Sequence, residues 1–217
     1  MKKIKQLEPM EIEKRSFEII SHELSEMQIT LPADQEMITK RVIHTSADFD
    51  YIQTLKYSKD AVAIAKRLIS EGADIVTDTN MALSGINKKY LEKFGGQAHC
   101  FMADDEVALI AKEKKTTRAA VSMEFASRID KPVIFAIGNA PTALIELYDM
   151  IEKGIYKPAF VIGVPVGFVN VVESKERIWS VCQDLDVPAI VAMGRKGGST
   201  VAAAVCNALL YQAAGLR

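Results

Sequence analysis

Read for the spacing of its apolar residues, the chain opens on helices and then settles into a repeating alternation. Met10, Phe17, Ile20, Leu24 and Met27 recur at intervals of three, four and seven, the spacing that stacks side chains on one face of a helix. Pro9 suits a first helical turn, where its missing N–H is not needed. An amphipathic helix is therefore predicted over residues 9–27. Pro32 breaks it, and Asp34 can cap a second helix. That helix carries Met37, Ile38, Arg41 and Val42 into the polar segment Ile43-His44-Thr45-Ser46.

From residue 60 onward helices alternate with short apolar runs. A helix over 60–71 stops at Gly72, residues 73–78 read as a strand, and a helical turn comes next near Met81 and Leu83. Residues 99–102 supply a further candidate strand, with a helix over 117–128 behind it. Three later units are cleaner: 133–137, 160–164 and 189–193 are apolar runs, each leading through a glycine-bearing turn into a helix, over 141–153, 174–185 and 199–213. Strands that are apolar without alternation are covered on both faces. The predicted fold class is α/β, a three-layer α/β/α arrangement with a mainly parallel central sheet, preceded by the N-terminal helices. No linker or low-complexity tract divides the chain, so one domain over residues 1–217 is expected.

Composition narrows the partners. The 27 basic residues face 28 acidic ones, for a net charge of −1, which lacks the basic excess of a non-specific nucleic-acid binder. An anionic ligand must be met by a local cluster. No apolar stretch approaches the ~20 residues of a membrane span, and residues 1–8 are not followed by a signal-peptide core. Cys100, Cys182 and Cys206 stand far apart, in neither a metal-binding pattern nor an even disulfide set. They read as reduced thiols, with the cytoplasm as the expected compartment and no metal site.

In a parallel sheet, ligands gather outside the carboxyl ends of the strands. The unusual residues of this chain fall there. Gly194-Arg195-Lys196-Gly197-Gly198-Ser199 lies between a strand and a helix, suited to close backbone approach of an anion, with carboxylates favoured over phosphates. Neither phosphate-loop nor dinucleotide spacing is present in it, and the glycines could equally serve only a tight turn. Asn139 and Thr142 flank Pro141 at a predicted helix start, where they would contact a ligand or simply cap the helix. In Glu173-Ser174-Lys175, Ser174 could be an N-cap and Lys175 could stand on a solvated face. His44 is the histidine placed for acid–base chemistry, following Arg41 into a polar segment, whereas His22 and His99 have duller surroundings; a lone histidine is also commonly structural.

Taken together, Arg15-Ser16-Phe17-Glu18-Ile19-Ile20, Arg41-Val42-Ile43-His44, Gly138-Asn139-Ala140-Pro141-Thr142-Ala143-Leu144, Pro165-Val166-Gly167-Phe168-Val169, Glu173-Ser174-Lys175 and the 194–199 turn resemble, in order and spacing, the precorrin-8X methylmutase family. The resemblance runs over residues 15–209. It implies a homodimeric α/β/α enzyme of cobalamin biosynthesis with its active site at or near the subunit interface. It also implies an isomerisation: a methyl group migrates from C11 to C12 of the corrin precursor, giving hydrogenobyrinate, or cobyrinate from the cobalt complex. His44 matches the catalytic acid, and Ser16 and Arg41 match ligand-binding positions.

Arg118, Lys175, Arg195 and Lys196 would add cations for the acetate and propionate arms, with Asn139 and Thr142 as further substrate contacts. No cofactor and no external methyl donor are implied. The segment Thr45-Ser46-Ala47-Asp48-Phe49-Asp50 is more similar to the enzymes that act on the cobalt-containing substrate. Two alternatives stay open here: an S-adenosylmethionine-dependent precorrin methyltransferase, and a non-catalytic tetrapyrrole carrier.

Overall fold

The structure is a computed structural model whose described residues are 8–216, without the side chains of Pro9 and Met10; the reading of residues 1–7 and the packing expected of Met10 lie outside them. Helices α1 (Pro9–Glu26) and α2 (Glu36–Ser46) lead, and α3 (Tyr51–Thr54) turns the chain into β1 (Leu55–Tyr57). Then come α4 (Ala61–Ser70), β2 (Asp74–Thr77), α5 (Asn80–Gly85), α6 (Lys88–Lys93) and β3 (Ala98–His99). A 3-10 turn at Phe101–Ala103 precedes α7 (Asp105–Glu113) and α8 (Arg118–Ala126). The rest alternates strictly: β4 (Val133–Ile137), α9 (Pro141–Glu152), β5 (Phe160–Gly163), α10 (Val171–Asp184), β6 (Ala189–Ala192) and α11 (Ser199–Ala213).

The six strands form one sheet in the order β1-β6-β5-β4-β2-β3. Every pairing is parallel except that of β1, which runs antiparallel to β6 with Leu55 opposite Ala192 and Tyr57 opposite Ile190. Successive residues of β4 feed opposite cores. Ile134 and Ala136 join Ile75, Ile162 and Ile190 against α4 and α11, whereas Val133, Phe135 and Ile137 join Val76, Val161 and Val191 against α8, α9 and α10. This is the three-layer arrangement expected of strands with no polar alternation. Each fully buried Ile or Phe contributes about 1.5–3 kcal/mol over its exposed state, so both faces are strongly held. Helix α11 is apolar nearly all round and buried along Val201–Leu210 positions such as Val205, Cys206 and Leu209; α2, α4 and α5 surround it.

Several expectations need correction. Asp34 does not cap α2: Gln35 holds that position and makes no side-chain cap. Helix α2 continues through Ser46, so His44 lies within its last turn rather than in a segment beyond it. Only Ala98 and His99 form β3, because Phe101 starts a 3-10 turn. Helix α10 begins at Val171 after an N-cap at Asn170 in the left-handed region, so Ser174 is inside the helix, its hydroxyl donating to Val171 O. Helices α6 and α7 and strand β1 were not foreseen; they are short, and charged residues dilute their apolar pattern.

Candidate active site

The first two helices build one cluster. Glu13 and Phe17 are one turn apart on α1, and Arg41 and His44 are three residues apart on α2, so each pair shares a helix face. Where these faces meet, the Phe17 ring stacks on His44 with centroids 5.3 Å apart and planes 24° from parallel. The Arg41 guanidinium lies 5.1 Å from the Phe17 centroid and 5.1 Å from that of Tyr211 on α11. Its Nη2 forms an ion pair with Glu13 Oε1 at 2.9 Å. Ser16 is half-buried beside Phe17, with its hydroxyl donating to Ile12 O at 2.9 Å. His44 itself is exposed, and stacking sets its ring plane while leaving its edge open.

The chain leaves α2 through Ala47, in the left-handed region at φ 53°, and immediately meets the glycine turn beyond β6. Lys196 Nζ lies 2.6 Å from Asp48 Oδ2 and 2.5 Å from Asp50 Oδ2. These contacts join the end of the His44 helix to the 194–199 turn. The hydrogen bond from Lys196, then the Asp50 N–H, hold the Asp48 carboxyl below the usual carboxylate range. The turn is also laced to the segment after β5: Gly198 N donates to Val164 O at 2.8 Å and Gly167 N to Arg195 O at 3.1 Å. Arg195 is exposed on it, its guanidinium 5.5 Å from the centroid of Phe168, which is itself 81% exposed.

Lys175 is not where a ligand contact was expected. It is fully buried, and its ammonium donates to Gly194 O and Lys196 O, each at 2.8 Å. With two carbonyls as acceptors and no access to solvent, it holds the turn from beneath rather than meeting a ligand or standing on a solvated face. Burial lowers its pKa to about 8.

A second group lies at the ends of β2 and β4. Asp78 is buried, its Oδ1 accepting from Gly138 N at 2.8 Å and its Oδ2 from Asn139 N at 2.7 Å and Ala140 N at 2.6 Å. Burial raises its pKa and prevails over these three hydrogen bonds, which pull it down. Asp78 thereby takes up N–H groups at the start of α9 and presents the exposed Asn139 side chain. Thr142 accepts from Thr117 Oγ1 at 2.8 Å, and Thr117 caps α8, whose first residue is the exposed Arg118. Thr79 Oγ1 and Ser199 Oγ, 2.8 Å apart, connect this group to the start of α11.

The structure therefore gathers Ser16, Arg41 and His44 at one place, ties Arg195 to it through the Lys196 contacts, and sets Arg118, Asn139 and Thr142 in the second group. The supporting residues Glu13, Tyr211 and Asp78 were not foreseen, and Phe17 was placed in a packing stripe and in the 15–20 motif without a role of its own. Asp78 had a signal: an acid at the carboxyl end of a buried strand needs N–H partners. Neither Glu13 nor Tyr211 had one, since each meets Arg41 across separate helices. Among the described residues, no group of three or more His, Cys, Asp or Glu could hold a metal ion.

Comparison with known proteins gives a consistent result. The family model described as precorrin-8X methylmutase matches residues 11–212. The chain is 44% identical over 203 residues to the cobalt-precorrin-8 methylmutase of Priestia megaterium, covering 94% of this chain and 88% of that one. It is 43% identical over 209 residues to the cobalt-precorrin-8 methylmutase of Salmonella typhimurium, covering 94% and 95%. Among solved structures, the precorrin-8X methylmutase of Thermus thermophilus superposes with a TM-score of 0.82 at 35% identity, covering 94% of this chain and 98% of that one.

Proposed function

The chain belongs to the precorrin-8X methylmutase family, and from that premise we propose that it moves a methyl group from C11 to C12 of cobalt-precorrin-8, giving cobyrinate, with His44 as the general acid. As a methylmutase it is an isomerase of cobalamin biosynthesis. The cobalt-containing substrate is favoured because the Priestia and Salmonella relatives carry that name. The observation that carries the role of His44 is its setting: exposed, stacked on Phe17 and three residues from Arg41 on one helix.

The chemistry needs one mobile proton. A protonated imidazole at His44 gives its proton to the ring nitrogen beside the migrating methyl, which makes the conjugated system electron-poor. The C11–methyl bond breaks as the C12–methyl bond forms, and the proton returns to the imidazole, so nothing is consumed and no external methyl donor enters. Arg41, Arg118 and Arg195 are the cations for the acetate and propionate arms. Ser16, Asn139 and Thr142 supply hydrogen bonds, with N–H groups at the start of α11 nearby. A homodimer is the proposed assembly, supported by the exposed apolar side chains Val166, Phe168 and Val169. The cytoplasm is the proposed compartment, supported by three cysteines that all stand unpaired.

Single-turnover conversion in the absence of S-adenosylmethionine, followed by the absorbance change of the corrinoid, tests this reading. Conversion without a donor is expected. A donor requirement would make the protein a methyltransferase, and binding without conversion would make it a carrier. The His44→Ala protein is expected to bind the corrinoid and to lose at least the ~100-fold typical of a missing general acid; undiminished turnover would remove His44 from the mechanism.

A further inference from the structure

We propose that Glu13 is an intramolecular competitor for the carboxylate-binding edge of Arg41, and so sets how tightly the corrinoid is held. The inference rests on the reading of Arg41 as a substrate-carboxylate partner and adds a residue to it.

A guanidinium and a carboxylate match as two parallel N–H···O bonds. Nε and Nη2 lie along one edge of the guanidinium and form such a pair of donors. In Arg41, Nη2 is ion-paired with Glu13 Oε1 at 2.9 Å, whereas Nε is the one buried side-chain nitrogen or oxygen without a hydrogen-bond partner among the described residues. The edge is half-filled. A buried donor left unpaired is costly, so an anion that satisfies both donors is favoured over one that satisfies a single donor.

The two partners differ in freedom. The rings of Phe17 and Tyr211, each with its centroid 5.1 Å from the guanidinium carbon, restrict the movement of the Arg41 side chain. Its side chain is 21% exposed, while that of Glu13 is 54% exposed. Glu13 can therefore turn into water with little loss, leaving a guanidinium already oriented for a new carboxylate. The incoming group is a carboxylate arm of the corrinoid, which would occupy Nε and Nη2 together. The neighbouring ion pair on α1, Arg15 with Glu18 at 2.9 Å, does not involve Arg41 and provides an internal comparison.

The test is titration of the protein with cobyrinate, followed by absorbance, for wild type, Glu13→Gln, Glu18→Gln, Arg41→Ala and the Glu13→Gln/Arg41→Ala double variant. Glutamine keeps the size of Glu13 and removes its charge. Glu13→Gln is expected to bind about two- to fivefold more tightly, the span set by the strength of an exposed ion pair. Glu18→Gln should match wild type, and the gain should vanish when Arg41 is absent. Unchanged or weaker binding by Glu13→Gln, or a gain that persists in the double variant or appears equally in Glu18→Gln, overturns the proposal while leaving Arg41 in the site. Unchanged binding by Arg41→Ala would instead overturn the reading of Arg41 on which the proposal rests.

Discussion

Arg41 and Lys196 are both cations near the end of α2, yet their surroundings differ. Arg41 lies beside two aromatic rings with a half-filled edge, whereas Lys196 already has two carboxylates, whose hydrogen bonds hold its ammonium above the ordinary lysine range. Replacing Arg41 with Ala is expected to cost about 1.5–3 kcal/mol of corrinoid binding, the range for hydrogen bonds to charged groups, or roughly one to two powers of ten in affinity. Lys196→Ala should weaken binding less. Product titrations check the ordering, and the reverse order would mean that the carboxylate arms lie elsewhere. Gly197 carries a different kind of constraint. A ligand's approach or a tight turn was the expected reason for a glycine here, and at Gly198, with φ 138°, the backbone conformation does require one. At Gly197 the close approach is internal, since a Cβ would lie 2.1 Å from Val164 O and 2.7 Å from Pro165 O. These are backbone atoms that cannot swing aside. Gly197→Ala should therefore destabilise the fold by about 1–3 kcal/mol, as overpacking does, with the loss visible in urea unfolding before any ligand is added.

The elements divide into those whose amino-acid pattern announces them and those that depend on a neighbour. β4, β5 and β6 are apolar runs buried at every position, and their predicted spans agree with the observed ones to within a residue at either end. β1 is three residues long and exists by pairing with β6, which no local spacing could reveal. The 194–199 turn is another dependent element, because Lys175 holds it from α10 through two carbonyls. This support has a pH signature. Burial lowers the Lys175 pKa to about 8 from the ordinary 10.5, so between those values the folded protein has released a proton that the unfolded chain still binds. Stability from this group therefore rises with pH across that window and is smaller below it. The neutral amine retains two N–H donors for the two carbonyls. Lys175→Met should be destabilised because those carbonyls lose their donors, and its deficit against wild type should widen from pH 8 to pH 10. Urea unfolding of both proteins at the two pH values measures the difference and cancels other titrating groups; a constant or shrinking deficit would contradict it.

At the scale of the whole molecule, the two helices that precede the sheet carry His44, Arg41 and Ser16, and the sheet contributes the turns they face. Val166, Phe168 and Val169 are exposed near that face, Val169 by 77%, and sedimentation at micromolar concentration is expected to show a homodimer; monomer alone would count against it. The sequence by itself determined the α/β class, the alternation after residue 60 and the motif set of the family, because apolar periodicity and short motifs are local properties that survive in any correct fold. The tertiary structure alone decided the partners of the charged groups. Asp78 reaches the N–H groups of residues 138–140 because β2 and β4 are adjacent in the sheet. Lys196 meets Asp48 and Asp50 because β1 returns the chain beside β6. Arg41 meets Glu13 and Tyr211 because α2 packs between α1 and α11. Such encounters join residues far apart in the chain, and they are set by which strands and helices become neighbours, a choice made by burial of the whole core rather than by the spacing of residues within any one segment.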